Sequence, residues 1–190
     1  MSKLLAIDPG NMFTGYVILD DNFKPLQFGK VKNDEMLVIL ERYLGSGNTK
    51  VVVEMVASYM MNVGRTVFDT CIFIGRLQQL CETAYKEYGC DSEYMTIERR
   101  YVKLNLTGHV TASDADISRA LVDRFSYDNL RNHGKGTKKE PGFFYGFSAD
   151  MWAAFALGVT QLDIDQKTFE IIPKGDGKPK KKKRKNINDK

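Results

Sequence analysis

The sequence is poor in residues that form disulfide frameworks or zinc sites. It contains three cysteines and two histidines. The cysteines (Cys71, Cys81 and Cys90) are odd in number and show no CxxC spacing, so we expect reduced thiols in a cytoplasmic setting. The histidines, His109 and His133, fall in turn or loop segments, which favours surface positions over catalytic ones.

Long apolar runs are also missing. No apolar stretch approaches the roughly 18 residues that a membrane-spanning helix needs. Met1 leads almost directly into a strand-like segment, and no signal-peptide pattern is recognised. Hydrophobic residues make up 43% of the sequence and charged residues 27%, as in ordinary globular proteins. At 190 residues, we expect one domain with a sizeable core.

Basic residues are concentrated near the end of the chain. The whole sequence carries a net charge of +4. Residues 174–190 contain nine Lys or Arg and two Asp, which is +7 and leaves −3 for residues 1–173. Because this segment is low in apolar residues, we expect it to be disordered. Its positive charge suits an electrostatic arm that binds DNA with strong salt dependence. The expected phosphate contacts are Lys180, Lys181, Lys182, Lys183 and Arg184.

The apolar pattern predicts alternating strands and helices. Strands are expected at 3–8, 13–20, about 24–31, 50–54 and 93–98, with the first three forming an antiparallel meander. Helices are expected at 34–44, about 65–88, 99–106, 113–125 and about 149–162, the last two capped by Ser113 and Ser148. Residues 127–147 form a loop that is long enough to suggest a function. This order predicts an α/β domain at 1–165 with a mixed sheet, followed by a basic tail at 166–190.

Three acidic residues stand where core elements are expected to end or begin. Asp8 follows the apolar run at 4–7, Glu54 follows the run at 51–53, and Asp150 opens the last helix. A carboxylate at such a place is costly unless its charge is offset. None of the three has a Lys or Arg within two residues. Their convergence on one site would call for a divalent cation, and oxygen ligands suit Mg²⁺.

Each acid also has an ordinary interpretation. Asp8 in the DPG segment can start a turn. Glu54 can reach solvent from a strand end, and Asp150 can interact with a helix dipole. The metal hypothesis therefore depends on the three residues occurring together.

Four segments resemble, in order, the RuvC-like Holliday junction resolvases of the ribonuclease H-like superfamily, in particular those encoded by bacteriophages. The segments are LLAIDPGNMFTGYVILD (4–20), VVVEMV (51–56), RRYVKLNLTGHVTASDADISRALVDRF (99–125) and GTKKEPGFFYGFSADMWAAFALGVT (136–160). The resemblance implies a ribonuclease H-like five-stranded mixed sheet with the first strand beside the fourth. Asp8 and Glu54 would then be neighbours, with Asp150 delivered opposite them.

The same resemblance implies a function. Asp8, Glu54 and Asp150 would be catalytic and would bind two Mg²⁺ ions per site, or Mn²⁺ in their place. The expected activity is cleavage of branched DNA by paired nicks from a homodimer, leaving 5′ phosphate and 3′ hydroxyl ends. Any surplus apolar surface on the helix at 65–88 would be the natural dimer surface. The expected location is the cytoplasm of a bacterial host, at the nucleoid; the basic tail also resembles a nuclear import signal.

Two positions depart from the family pattern. Many cellular relatives carry an acid or His three residues before the last aspartate, where this chain has Phe147. They often carry a Lys near the start of the 113–125 helix, where this chain has Ser113, Asp114 and Asp116. Asp114 is a candidate additional metal ligand, and an ordinary helix-start role is the alternative.

Several basic residues are candidates for DNA contact. Lys103 matches a basic position of the family and could steady the scissile phosphate or lie on the surface. Lys138 and Lys139 precede the aromatic residues 143–145, a combination suited to phosphate contact with base stacking. Those aromatic residues can equally pack the loop against the core. Arg65 is the candidate phosphate contact just beyond Glu54.

Three functions compete on this sequence. The first is a metal-dependent endonuclease for Holliday or other branched junctions, with forks and flaps as related substrates. The second is a catalytically silent module that binds DNA junctions, which Phe147 favours. The third is an actin-like ATPase, because Asp8 to Gly15 also resembles a phosphate-binding hairpin. That class needs a duplicated domain, and no second hairpin of this kind is recognised.

Overall fold

A five-stranded mixed sheet forms the centre of the protein. A computed structural model describes residues 3–47, 49–57, 63–88, 93–127 and 130–171. The strands are β1 (Lys3–Pro9), β2 (Phe13–Leu19), β3 (Pro25–Lys32), β4 (Thr49–Met55) and β5 (Tyr94–Glu98), in the spatial order β3-β2-β1-β4-β5. The first three pair antiparallel, whereas β4 pairs parallel with both β1 and β5. This confirms the predicted sheet, including the placement of the first strand beside the fourth.

Helices cover both faces of the sheet. Helices α1 (Asn33–Gly45) and α2 (Arg65–Tyr88) pack on one face, and α3 (Arg99–Thr107), α4 (Asp114–Phe125) and α5 (Ala149–Asp165) pack on the other. Because β1 is buried on both sides, it reads as a continuous apolar run. Leu5 and Ile7 of β1 join the core under α1 and α2, while Leu4 and Ala6 join the core under α5.

Helix α5 lies very close to the sheet. A Cβ atom at Gly158 of α5 would lie 2.6 Å from Cδ1 of Leu19 and 3.1 Å from the Cβ of Ala6. At its far end, Asp163 of α5 accepts two hydrogen bonds of 2.8 Å from the guanidinium of Arg124 on α4. These contacts hold α5 firmly against β1, β2 and α4.

Both helix starts lie where the capping prediction placed them, but only one has a side-chain cap. Ser113 accepts a hydrogen bond from the backbone N–H of Asp116, whose side chain accepts one from the backbone N–H of Ser113, which is a capping box. Ser148 precedes α5 as its N-terminal cap residue, but its side chain makes no capping hydrogen bond with the described residues. The predicted position of the cap is confirmed, and the contribution of the Ser148 side chain is not.

The chain after α5 still contacts the domain. Thr168 donates a hydrogen bond to the backbone carbonyl of Asp163, and Ile171 packs against the core under α5. The division into a domain at 1–165 and a tail at 166–190 stays a prediction. The basic residues Lys180 to Arg184 lie outside the described residues. Among the described helices, none has the length and apolar character needed to cross a membrane.

Candidate functional site

The three predicted acids line one cleft. Strands β1 and β4 run parallel, and Ile7 is the partner of Val53, so Asp8 and Glu54 follow at the same edge of the sheet. Ile7 and Val53 face α1 and α2. Because successive side chains of a strand alternate between faces, Asp8 and Glu54 face the side that α5 covers. The cleft encloses about 480 Å³ and also includes Asp150.

Asp150 reaches the cleft through close contact between α5 and β2. Gly15 of β2 is the partner of Asp8 in the β1–β2 ladder. A Cβ atom at Gly15 would lie 2.6 Å from the carbonyl oxygen of Asp150 and 3.0 Å from its Cβ. The absence of a side chain at residue 15 therefore lets the first turn of α5 lie directly on β2, beside Asp8 at the end of β1.

An arginine that the sequence analysis missed bridges two acids of the cleft. Arg99 begins α3 immediately after β5, the parallel neighbour of β4. Its Nη1 donates a 3.0 Å hydrogen bond to Oε2 of Glu54, and its Nη2 donates a 2.8 Å hydrogen bond to Oδ1 of Asp114. The signal that could have found it is its position after the strand beside β4, which requires the strand order to be known.

Asp150 also has a basic partner from a distant segment. Lys30 of β3 forms an ion pair with the Asp150 carboxylate. Lys30 is the sheet partner of Gly15, so it lies on the far side of the glycine that α5 covers. The local sequence around the three acids contains no basic residue. The tertiary structure places Arg99 beside Glu54 and Lys30 beside Asp150.

The electrostatics of the cleft favour added positive charge. Burial raises the pKa of Asp8 to about 7, and the negative charge of Glu54 contributes to the increase. Burial likewise raises the pKa of Glu54, against the opposing charge of Arg99. The hydrogen bond from Arg99 holds the pKa of Asp114 below its usual range. Asp8 is therefore the carboxylate whose charge is least well compensated.

The donor set fits a divalent cation, although the ligands are not gathered around one point. Within the described part of the chain, no group of three His, Cys, Asp or Glu side chains is arranged to hold a single metal ion. The charged lining of the cleft nevertheless consists of four carboxylates (Asp8, Glu54, Asp114 and Asp150) and one base, Arg99. Carboxylate oxygens with excess negative charge are what Mg²⁺ prefers. The metal-binding roles of these residues stay predictions.

The aromatic residues before α5 mostly pack in the core. Phe144 is fully buried, and its ring lies 4.4 Å from that of Trp152 and 5.5 Å from that of Phe155. Phe143 packs against the same cluster. The packing interpretation therefore holds for Phe143 and Phe144, whereas Tyr145 is exposed.

Phe147 belongs to the same aromatic cluster. It is only 3% exposed, and its ring lies 4.6 Å from that of Phe28 on β3. At the position where the resemblance implied an acid or His, this chain therefore places a core residue. Phe147 contributes packing that supports the start of α5, and no ligand atom.

The predicted basic residues lie at different distances from the cleft. Lys103 on α3 is close enough for its charge to lower the pKa of both Glu54 and Asp114. Arg65, at the start of α2, is exposed, as are Lys138 and Lys139 in the loop before α5. None of these three lines the cleft. Their predicted contacts with DNA stay predictions.

Comparisons with known proteins identify the fold. No family model and no curated protein matches the chain. The structure of Thermus thermophilus RuvC matches with a TM-score of 0.57 and 16% identity, over 87% of this chain and 97% of that one. T. thermophilus RuvC in complex with a Holliday junction substrate matches with a TM-score of 0.60 and 16% identity, over 88% and 97%. At this identity the likeness concerns the fold alone, and this chain has a RuvC-like, ribonuclease H-like fold.

Proposed function

We propose that this protein is a divalent-metal-dependent endonuclease that resolves Holliday or other branched DNA junctions by paired nicks. The observation that carries the proposal is the cleft in which β1, β4 and α5 bring together Asp8, Glu54 and Asp150. The RuvC-like fold supports it, since one of the similar structures is a complex with a Holliday junction. The phage-type resemblance of the sequence motifs suggests action in the cytoplasm of a bacterial host.

Asp8, Glu54 and Asp150 would hold the cations. Bound Mg²⁺ or Mn²⁺ would supply an activated water and stabilise the leaving 3′ oxygen of the cleaved strand. The protein's own contribution is to hold the carboxylates close together in a buried place. Burial, with a contribution from the negative charge of Glu54, raises the pKa of Asp8 to about 7. The packing of Phe144 and Trp152 keeps the first turn of α5, and therefore Asp150, in place.

The acidic cleft needs basic surroundings to approach a polyanion. Lys103 lies next to the cleft, where it can contact the phosphate beside the scissile bond. Lys138, Lys139 and Arg65 would contact DNA phosphates further from the cleft. The residues from Lys180 to Arg184 would form an electrostatic arm. Phosphate contacts of this kind position the DNA and carry no sequence information.

Paired nicks require two sites, and one surface suits a homodimer. The outer side of α1 and α2 exposes apolar residues: Val38 is 58% exposed, Phe68 59% and Ile72 65%. A shallow groove of about 550 Å³ lies between α1 and α2, and its apolar lining is Leu37, Val38, Ile72 and Leu80. A two-fold contact through this surface would bury it and leave both clefts open.

A nicking assay tests the function. Four-way junctions with Mg²⁺ should give symmetric nicks with 5′ phosphate ends, and linear duplex should be largely spared. Asp8→Asn should abolish cutting and retain junction binding. Asp123→Asn is the matched control, because Asp123 is an exposed acid on α4 outside the cleft, and it should cut normally.

The competing function is a junction-binding module without catalysis. The burial of Phe147 at a position where many relatives have a ligand favours it. Purified protein that binds four-way junctions tightly but never cuts them, with either Mg²⁺ or Mn²⁺, would establish this alternative and refute the nuclease.

A further inference from the structure

The bridge that Arg99 makes between Glu54 and Asp114 is not explained by the proposed catalytic roles. The guanidinium is largely buried, with 24% of the side chain exposed, and Glu54 has 17% exposed. Asp114 is 79% exposed. The bridge therefore joins a largely buried carboxylate of the cleft to an exposed carboxylate, in the first turn of α4, that also lines the cleft.

We infer that Arg99 is a resident counter-ion that competes with a divalent cation for Glu54, and that Asp114 retains the guanidinium in the cleft when the cation takes its place. The inference rests on the proposed function, since it assumes that Glu54 is a metal ligand. It makes Arg99 a positioning residue and gives Asp114 a role other than metal binding.

The competition follows from the contact with Glu54. Nη1 of Arg99 lies 3.0 Å from Oε2, so a full positive charge already sits on the carboxylate that a metal would need. Two cations on one partly buried carboxylate repel each other strongly because little water screens them. A metal must therefore displace Arg99 from Glu54 or bind more weakly.

The retention follows from the geometry of the guanidinium. Arginine has five N–H donors in a rigid plane, and here different nitrogens contact the two acids. Losing Glu54 therefore leaves the 2.8 Å bond to Asp114 intact. A lysine has a single charged nitrogen on a flexible stem, so it cannot contact the two acids through separate nitrogens held in one plane.

Mn²⁺ binding to the full-length protein without DNA tests the competition. Arg99→Gln should tighten Mn²⁺ binding at least about fivefold, the lower end of typical coupling between two linked binding events. Arg99→Lys, which keeps the charge but loses the rigid contact through two nitrogens, should give a smaller gain. Lys103→Gln is the matched control, because Lys103 acts on Glu54 through its charge. An equal gain in Lys103→Gln, or no gain in Arg99→Gln, would overturn the inference.

A double-mutant cycle separates retention from metal ligation by Asp114. Asp114→Asn should weaken Mn²⁺ binding in the native background, because Arg99 then contacts Glu54 alone. In the Arg99→Gln background the same change should have little effect. Equal weakening in both backgrounds would make Asp114 a metal ligand and refute its assigned role.

Thermal unfolding shows whether the Arg99→Gln variant is folded and whether Mn²⁺ stabilises it. Because Arg99→Gln leaves Glu54 without its partner, Mn²⁺ should raise the Tm of this variant more than that of the native protein. If the native protein binds no Mn²⁺ but Arg99→Gln does, the competition is supported in its strongest form. If neither binds, both the proposed function and this inference fail; if both bind equally, the inference alone fails.

Discussion

Gly15 and Asp150 meet where the first turn of α5 lies on β2. An added Cβ at residue 15 would come within 2.6 Å of the Asp150 carbonyl oxygen, closer than such atoms approach. The position of one candidate ligand therefore depends on the absence of a side chain on a neighbouring strand. This relationship connects the packing of the core directly to the chemistry of the cleft.

Gly15→Ala should lower both stability and junction cleavage. The added methyl group must push the start of α5 away from the sheet, and overpacking of this kind costs about 1–3 kcal/mol. Chemical denaturation and the nicking assay measure the two effects. Gly45→Ala is the control, because a Cβ there meets nothing within 4 Å. Full cleavage by Gly15→Ala would mean that the site tolerates movement of Asp150.

In the absence of metal, the ionisation of Asp8 should make the folded protein less stable as the pH rises. Its pKa is raised from 3.8 to about 7 in the folded protein, so between these values the folded state binds the proton more tightly than the unfolded state. The unfolding free energy contributed by this group therefore falls from about pH 4 to pH 7. Asp8→Asn should remove this loss, so its Tm in EDTA should exceed that of the native protein at pH 8.

The difference between the two proteins should shrink toward pH 4, where Asp8 is protonated in the native fold. Adding Mg²⁺ at pH 8 should raise the Tm of the native protein and leave that of Asp8→Asn nearly unchanged. A native protein that is less stable than Asp8→Asn at pH 4 as well would contradict the assigned pKa.

Ca²⁺ should support junction binding without cleavage. Its coordination is longer and more flexible than that of Mg²⁺, so the attacking water is held less accurately. Gel-shift and nicking assays on the same junction, with Ca²⁺ or Mg²⁺, compare the two steps. Rapid cutting in Ca²⁺ alone would show that accurate octahedral coordination is not required.

Deleting residues 174–190 should weaken DNA binding and flatten its salt dependence. The segment carries a charge of +7, and for each phosphate that is no longer neutralised the slope of log affinity against log salt falls by about 0.9 on duplex DNA. Junction affinity measured between low and physiological salt gives the slope. The cleavage rate at saturating protein should stay the same. An unchanged slope would exclude the arm from DNA binding.

Much of the fold could be predicted from local patterns. The apolar run before Asp8 marks a strand buried on both faces, and the Ser113 to Asp116 spacing marks a helix start. The resemblance of four ordered segments then placed the first strand beside the fourth. Ser148 shows the limit, because it is the N-cap residue of α5 as predicted but its side chain makes no capping hydrogen bond with the described residues.

The sequence by itself determined the order of the elements, the three acids at element ends and the concentration of positive charge after residue 173. Only the tertiary structure decided which basic side chains face those acids and that Phe147 is a core residue. Arg99 reaches Glu54 because β5 lies beside β4, and Lys30 reaches Asp150 because α5 crosses the sheet over Gly15. These pairings join distant segments, so they depend on strand order and helix packing, which no local pattern of residues specifies.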